Sequence, residues 1–318
     1  MFKFTDKTYL NVLIVISGIM VIRFIAGIVF PKEDDEDSDN SKYEGFEQSI
    51  PFVLNENEAV WNDSFYIQLY DEIYLPSTIA TIDISHIHEK TKPNVDYSCF
   101  LEIGSGTGCL LQILKSKGFR AYGVDKSQAM VDYSQDKYPD IPVKCENVYE
   151  PMTFESGYFT HIICNNFTIY HFENKRMLFK NVFHWLTPGG YLCLHMVDPD
   201  KFDTIIPAGK PSIINTPQKY SKFRITETAL DFKTFQYKSK YNFSNNQVVL
   251  TETFTDAKNQ HIRQYEQAFF MDTKETILDI AEQCGFTIFS QTNYSVINKG
   301  NDGDQYQYLI ILKKQKPL

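Results

Sequence analysis

The sequence predicts an α/β protein built on a doubly wound, mostly parallel seven-stranded sheet that ends in a C-terminal antiparallel hairpin. Three observations predict it. Short apolar runs alternate with segments of helical period between residues 97 and 197. Three glycines, Gly104, Gly106 and Gly108, mark the junction of the first such strand and helix. The last two apolar runs are joined by NKGNDGDQ, which is too short for a crossover helix and so makes them an antiparallel pair.

The elements follow in chain order. A tail at 1–8 precedes YLNVLIVISGIMVIRFIAGIVF at 9–30, where Arg23 is the one charge. About 20 apolar residues at a rise of about 1.5 Å match a hydrocarbon core of about 30 Å, so this segment is expected to be a transmembrane helix. It is longer than the apolar region of a signal peptide, and no small-residue cleavage site follows. Lys3 and Lys7 before the span, with acid after it, would leave the C-terminal bulk on the non-cytoplasmic side. The sequons at Asn62, Asn166, Asn242 and Asn293 point the same way. Six cysteines with no zinc or redox spacing, mostly inside apolar runs, instead suit a single-pass membrane protein with its globular part in the cytosol. Residues 31–50, with the run KEDDEDSDN, cannot bury apolar area and read as an acidic flexible linker.

Residues 51–96 are expected to form a helical lid. Trp61, Phe65, Leu69 and Ile73 recur at helical spacing, and a second helix includes Ile79, Ile82 and His86 before Pro93 stops it. The core at 97–197 then reads as strand 97–103, helix 107–117, strand 120–124, helix 127–137, strands 141–145 and 159–164, helix 173–186 and strand 190–197. At 198–271 the rhythm changes to FKTFQYKSKYNF, QVVLTETFTD and HIRQYEQAFFM, three strands of an antiparallel insertion with turns at Ser244-Asn245-Asn246 and at 256–259. In 272–318 a helix from Lys274 ends at Gly285, and strands 286–293 and 305–313 return to the core sheet.

A length of 318 residues, 43% of them hydrophobic, allows a full core. The net charge of −9 argues against a nucleic-acid partner, since phosphate binding needs clustered positive charge. No metal is expected: the close pair His86 and His88 has i, i+2 spacing, which on a helix sends the rings apart.

Glycines at 104, 106 and 108 let backbone N–H groups approach a ligand where a helix begins, at the C-terminal edge of the first core strand. The G-x-G-x-x-G dinucleotide fingerprint fails, because its third glycine falls on Cys109. The stretch E-I-G-S-G-T-G resembles the first motif of class I S-adenosylmethionine-dependent methyltransferases. In order along the chain, AYGVDKS, CENVYE, FTHIICNNFTIYHF and WLTPGGYLCLHM resemble later motifs of that family, so the resemblance covers about 97–197. It implies S-adenosylmethionine as cofactor, with contacts at Glu102, Gly104, Ser105, Gly106 and Gly108. It also implies that Asp125, beside Lys126, holds the ribose hydroxyls, that Asn147 stands where the family has an adenine-contacting aspartate, and that Asn165 sits at the tip of the fourth strand. The flanking segments resemble the lids of small-molecule methyltransferases, including those acting on amino sugars, and the tethered arrangement resembles proteins of giant DNA viruses and protists.

Four residues are expected at the acceptor. Asn166 and Tyr170 follow the fourth strand, while Tyr66 and Tyr70 differ by four, share a helix face and would close the pocket from the lid. His195, near the end of the fifth strand with Asp198 three residues on, is either the catalytic base or a hydrogen-bonded core histidine. The expected function is methyl transfer by a membrane-anchored enzyme to a small-molecule or lipid-linked nitrogen or oxygen. The alternative is a non-catalytic, membrane-tethered cofactor-binding or interaction module.

Overall fold

The computed structural model describes residues 50–210, 216–244, 247–297 and 305–315. The expected tail, transmembrane segment and acidic linker up to residue 49 lie outside the described residues, as do Asn245 and Asn246 of the first insertion turn. Among the described residues no helix is long and apolar enough to cross a membrane.

The chain begins with strand β1 (Phe52–Glu56), a 3₁₀ turn (Asn57–Asn62) and helices α1 (Ser64–Tyr74) and α2 (Pro76–Thr91). The core runs β2 (Cys99–Ile103), α3 (Cys109–Ser116), β3 (Arg120–Asp125), α4 (Gln128–Lys137), β4 (Val143–Cys145), β5 (Phe159–Cys164), α5 (Lys175–Trp185) and β6 (Leu186–Val197). The insertion supplies β7 (Glu227–Asp231), β8 (Phe235–Ser244), β9 (Gln247–Asp256) and β10 (Ile262–Phe270). Helix α6 (Lys274–Gln283), β11 (Phe286–Asn293), the short helix Tyr294–Ile297 and β12 (Gln307–Lys314) close the chain.

The core sheet has the order β11-β12-β6-β5-β2-β3-β4. Strands β4, β3, β2, β5 and β6 are parallel, and β12 pairs antiparallel with both β6 and β11, as the short connection requires. Central β2, CFLEI, is buried throughout and feeds both faces. Phe100 packs with Ile84, Leu111 and Ile311 on one side; Leu101 and Ile103 pack with Phe179 and Trp185 on the other. Each large side chain buried this way contributes about 1.5–3 kcal/mol, which fixes β2 at the centre. β6 starts four residues before its expected position because Leu186 already pairs with Phe159, and at Gly190 the strand passes Thr160 so closely that a Cβ would lie only 3.0 Å from its carbonyl oxygen.

The insertion differs from its expectation. It forms a five-stranded sheet, β1-β10-β9-β8-β7, rather than three strands. β7 adds an outer strand, and β1, taken from the segment expected to be purely helical, pairs parallel with β10. Both are five-residue edge strands, so their patterns are too short to reveal pairing partners far along the chain.

Helix α1 is fastened to this second sheet. Asp63 caps it by accepting from Phe65 N and Tyr66 N, and the same carboxylate meets Asn55, Arg263 and Tyr265. Glu252 of β9, fully buried, accepts from the hydroxyls of Tyr66, Tyr74 and Tyr237 and from Gln267 Nε2. From α1, Tyr70 and Asp71 reach the loops at the C-terminal edge of the core sheet, meeting Asn166 and Thr107.

Candidate active site

In an open parallel sheet, ligands bind outside the strand C-termini where strand order reverses. Here chain order runs one way through β2, β3 and β4 and the other way through β5 and β6, so the switch point lies between β2 and β5. A cleft of about 430 Å³, part of it open to solvent, sits there. Its walls are the loop Gly104–Thr107 after β2, Asn165, Asn166 and Thr168 after β5, and Tyr70, Pro76, Ile79 and Ala80 from α1 and α2.

The three glycines have three different surroundings. All have positive φ. A Cβ on Gly106 would meet nothing within 4 Å, so this backbone borders open space. One on Gly108 would lie 2.3 Å from Ser134 Oγ, so that glycine serves the packing of α3 on α4. One on Gly104 would strike the Thr168 methyl group at 2.6 Å, where the two loops meet.

Two acids flank the loop. Glu102 lines the cleft, its Oε2 is buried without a hydrogen-bond partner, and burial together with the charge of Asp125 holds its pKa well above the usual carboxylate range. Asp125, at the end of β3, accepts from Gly106 N at 2.9 Å and Ser127 N at 2.9 Å; burial raises its pKa while these N–H groups oppose the rise. Two carboxylates whose charges repel form a site that favours a cation.

Of the sequence-predicted residues, the cleft brings together Glu102, Gly104, Ser105, Gly106, Tyr70, Asn165 and Asn166. Asn166 Nδ2 donates to Tyr70 OH at 2.9 Å, and Asn166 N donates to Asn165 Oδ1 at 2.7 Å. Asn166 and Phe167 both have positive φ, a strained turn of the kind found at functional sites. Lys126 does not line the cleft but pairs with Glu58 at the surface. Asn147 is exposed and accepts from Tyr149 N at 3.0 Å, closing its own turn.

Three expectations need correction. Tyr66 does not close the pocket with Tyr70: its hydroxyl donates to Glu252 at 2.7 Å inside the second sheet's core. The i, i+4 spacing is right, but α1 lies between two layers and the two rings serve different ones. Tyr170 is buried, accepting from Val197 N at 2.8 Å and donating to Val197 O at 3.3 Å, so it pins the end of β6 instead of lining the acceptor pocket. His195 is buried behind the cleft wall, with Nε2 3.0 Å from Gln307 Oε1 and the rings of Phe167 and Tyr294 against it. Burial pushes its pKa down to about 4, while Asp198 pairs with Lys201 rather than with this ring. It is a neutral core histidine here.

The structure adds residues that the sequence did not single out. Thr107 Oγ donates to Asp71 Oδ1 at 2.6 Å, and Lys137 pairs with the same carboxylate. Asp83 of α2 lies buried beneath Ala80. Its signal was present, since Ala80, Ile84 and Ile87 form an apolar stripe at helical spacing that this acid interrupts.

Residues 101–194 match the methyltransferase domain family. No curated protein matches the sequence. Among solved structures, the CcbJ methyltransferase from Streptomyces caelestis aligns with a TM-score of 0.59 at 13% identity, covering 80% of this chain and 98% of that one. A S-adenosylmethionine-dependent methyltransferase from Clostridium acetobutylicum gives 0.58 at 14%, covering 79% and 98%. An amino pentose methyltransferase from Micromonospora echinaspora, bound to S-adenosylmethionine and involved in calicheamicin biosynthesis, gives 0.53 at 16%, covering 75% and 91%. At such identities the likeness is one of fold.

Proposed function

We propose that this chain, whose residues 101–194 match the methyltransferase domain family, is a class I S-adenosylmethionine-dependent methyltransferase that methylates a nitrogen or oxygen of a small-molecule acceptor. The observation that carries the reading is the cleft at the switch point, where Gly106 borders open space and Glu102 keeps a buried carboxylate oxygen free of partners. These residues fit S-adenosylmethionine, which carries a sulfonium and an ammonium. The cation would favour the ionised form of Glu102 against the burial, and secondarily the charge of Asp125, that hold its pKa high.

The cofactor supplies a methyl group that is already activated, so the protein's work is to bind, align and exclude water. Asp125 would hold the ribose end and the loop Gly104–Thr107 the backbone of the ligand, with Glu102 facing its positive charge. Helix α1 lies over the cleft through Tyr70, and α2 adds the apolar Pro76, Ile79 and Ala80. That roof suits a small acceptor better than a protein segment. The amino pentose and other small-molecule methyltransferases among the fold neighbours support the same class.

The apolar segment 9–30 would tether the enzyme to a membrane, and the acidic linker would let it reach soluble or lipid-linked acceptors alike. Incubating the protein with labelled S-adenosylmethionine and panels of amines, alcohols and lipid extracts tests the reading. Label transfer to a small product supports it. Cofactor binding without transfer to any panel would favour the tethered interaction module.

A further inference from the structure

The net charge of −9 is not spread evenly along the chain. Between residues 216 and 244 six Lys and Arg stand against two acids, and 216–226 holds Lys219, Lys222 and Arg224 with no acid at all. The same short stretch carries two of the most exposed large hydrophobic side chains among the described residues, Tyr220 at 74% and Phe223 at 83%. Both lysines are exposed as well. A single exposed aromatic needs no explanation, but two of them alternating with lysines in an acidic protein do.

The loop that displays them is a built structure. It opens with a 3₁₀ turn, Pro217–Tyr220, and Gln218 closes it from inside: Nε2 donates to Phe223 O at 3.1 Å, and Oε1 accepts from Ile225 N at 2.7 Å. Ser221 Oγ donates to the same Phe223 carbonyl at 2.7 Å and accepts from Phe223 N at 3.3 Å. At the base, Arg224 donates to Pro199 O at 2.8 Å and lays its guanidinium over the rings of Phe202 at 4.4 Å and Phe243 at 4.0 Å. The backbone groups of Phe223 are therefore satisfied within the loop, which is the condition for entering a region poor in water. Phe223 itself buries almost nothing, so the fold does not account for it.

We propose that the loop Gln218–Arg224 is a membrane contact that sets Tyr220 and Phe223 at the headgroup level of an anionic lipid surface, with Lys219 and Lys222 among the negative headgroups. Aromatic rings favour that depth, and lysines lay their stems on apolar surface while the ammonium stays with the headgroups. Each lysine near such a surface is worth about fivefold in binding. The acidic remainder of the chain is repelled by the same lipid charge, so the loop is the part that turns toward it. Two lysines and two rings bind weakly alone. On the tether reading above, segment 9–30 keeps the loop close to a bilayer, where a weak contact suffices. The proposal does not depend on the cofactor reading of the cleft.

The test uses the full-length chain reconstituted in vesicles of phosphatidylcholine alone, or of phosphatidylcholine and phosphatidylserine at about 3:1. Phe223→Trp puts a fluorophore at the loop tip, read as the difference from the wild type, whose own tryptophans are the half-buried Trp61 and the buried Trp185. Lipids brominated along the acyl chain quench a tryptophan only on contact. In the mixed vesicles the added emission is expected to shift to the blue and to be quenched; in phosphatidylcholine alone, or at high salt, the quenching is expected to fall several-fold. Lys219→Glu with Lys222→Glu, in the Phe223→Trp chain, is expected to bring the mixed-vesicle quenching down to the phosphatidylcholine level. Should Phe223→Trp not fold, Tyr220→Trp reports the same contact.

Unquenched emission in both kinds of vesicle overturns the proposal whether or not the protein floats with them; flotation alone decides the tether. Quenching that ignores phosphatidylserine or the lysine reversals overturns it too, since lipid charge would then play no part. A blue shift that brominated lipid does not quench would mean that another protein chain covers the loop, and overturns the lipid surface as its partner.

Discussion

The Thr107 hydroxyl donates to Asp71 Oδ1 across 2.6 Å and so joins the glycine loop to helix α1. The preceding residue of that helix, Tyr70, accepts from Asn166 on the opposite cleft wall. Two consecutive side chains therefore span the switch point, while Asp63 and Glu252 hold the same helix to the five-stranded sheet. If α1 gates the cleft, ligand exchange is expected to quicken when either of these contacts is removed.

Asp71→Ala removes the link to the loop and the partner of Lys137. Stopped-flow displacement should show S-adenosylhomocysteine leaving about 3- to 10-fold faster, the equivalent of one hydrogen bond, with the melting temperature nearly unchanged. An unaltered dissociation rate would mean that α1 does not gate the cleft.

Gly106→Ala and Gly108→Ala should fail in different ways. At Gly106 the added methyl group meets open space, so the cost is backbone strain of roughly 1–2 kcal/mol at φ +48, while the methyl group intrudes on the ligand and weakens binding about tenfold or more. At Gly108 it lies 2.3 Å from Ser134 Oγ, so folding itself should suffer, by about 2–4 kcal/mol in urea unfolding. Ser134→Gly should restore part of the second loss and none of the first.

Asp83 gives a pH signature. Its pKa is about 7 in the folded protein, above the ordinary 3.8, so the folded state retains a proton that the unfolded chain has released. Stability is therefore fully present below about pH 4 and falls as pH rises toward 7, by on the order of 4 kcal/mol. Denaturation of the wild type and Asp83→Asn at pH 4, 6 and 8 should show the variant gaining relative stability at each step. Parallel pH profiles would contradict the burial of this carboxyl.

Glu252→Ala would strand the hydroxyls of Tyr66, Tyr74 and Tyr237 and the Gln267 amide inside the second sheet. The expected loss is about 3 kcal/mol or more, and Glu252→Gln should lose less because it keeps one acceptor. A loss below about 1 kcal/mol in the alanine variant would show that the cluster does not hold α1 to the sheet.

Much of the core was legible because its signals are local. The continuous burial of CFLEI, the glycines after it and the apolar run ending in Cys164-Asn165-Asn166 each mark a strand end, and parallel α/β connectivity brings those ends together. The side chains of Tyr66, Tyr170 and His195 were less legible because their partners lie far away in sequence. Tyr66 meets Glu252 across 186 positions, and His195 meets Gln307 across 112. Helical spacing placed Tyr66 and Tyr70 on one face of α1 but could not show that a second sheet covers part of that face. Strand β1 was hidden for the same reason, since its partner β10 follows it by some two hundred residues.

The central claim is that the cleft between β2 and β5 binds S-adenosylmethionine. The most direct measurement is calorimetric titration of the full-length protein with S-adenosylmethionine and S-adenosylhomocysteine, with Asp125→Ala alongside. The account predicts saturable one-site binding of both ligands by the wild type, and a loss of about 100-fold or more in a variant that remains folded, since a carboxylate held by Gly106 N and Ser127 N at the cleft edge is removed. No binding by folded wild-type protein, or equal binding by Asp125→Ala, would contradict it.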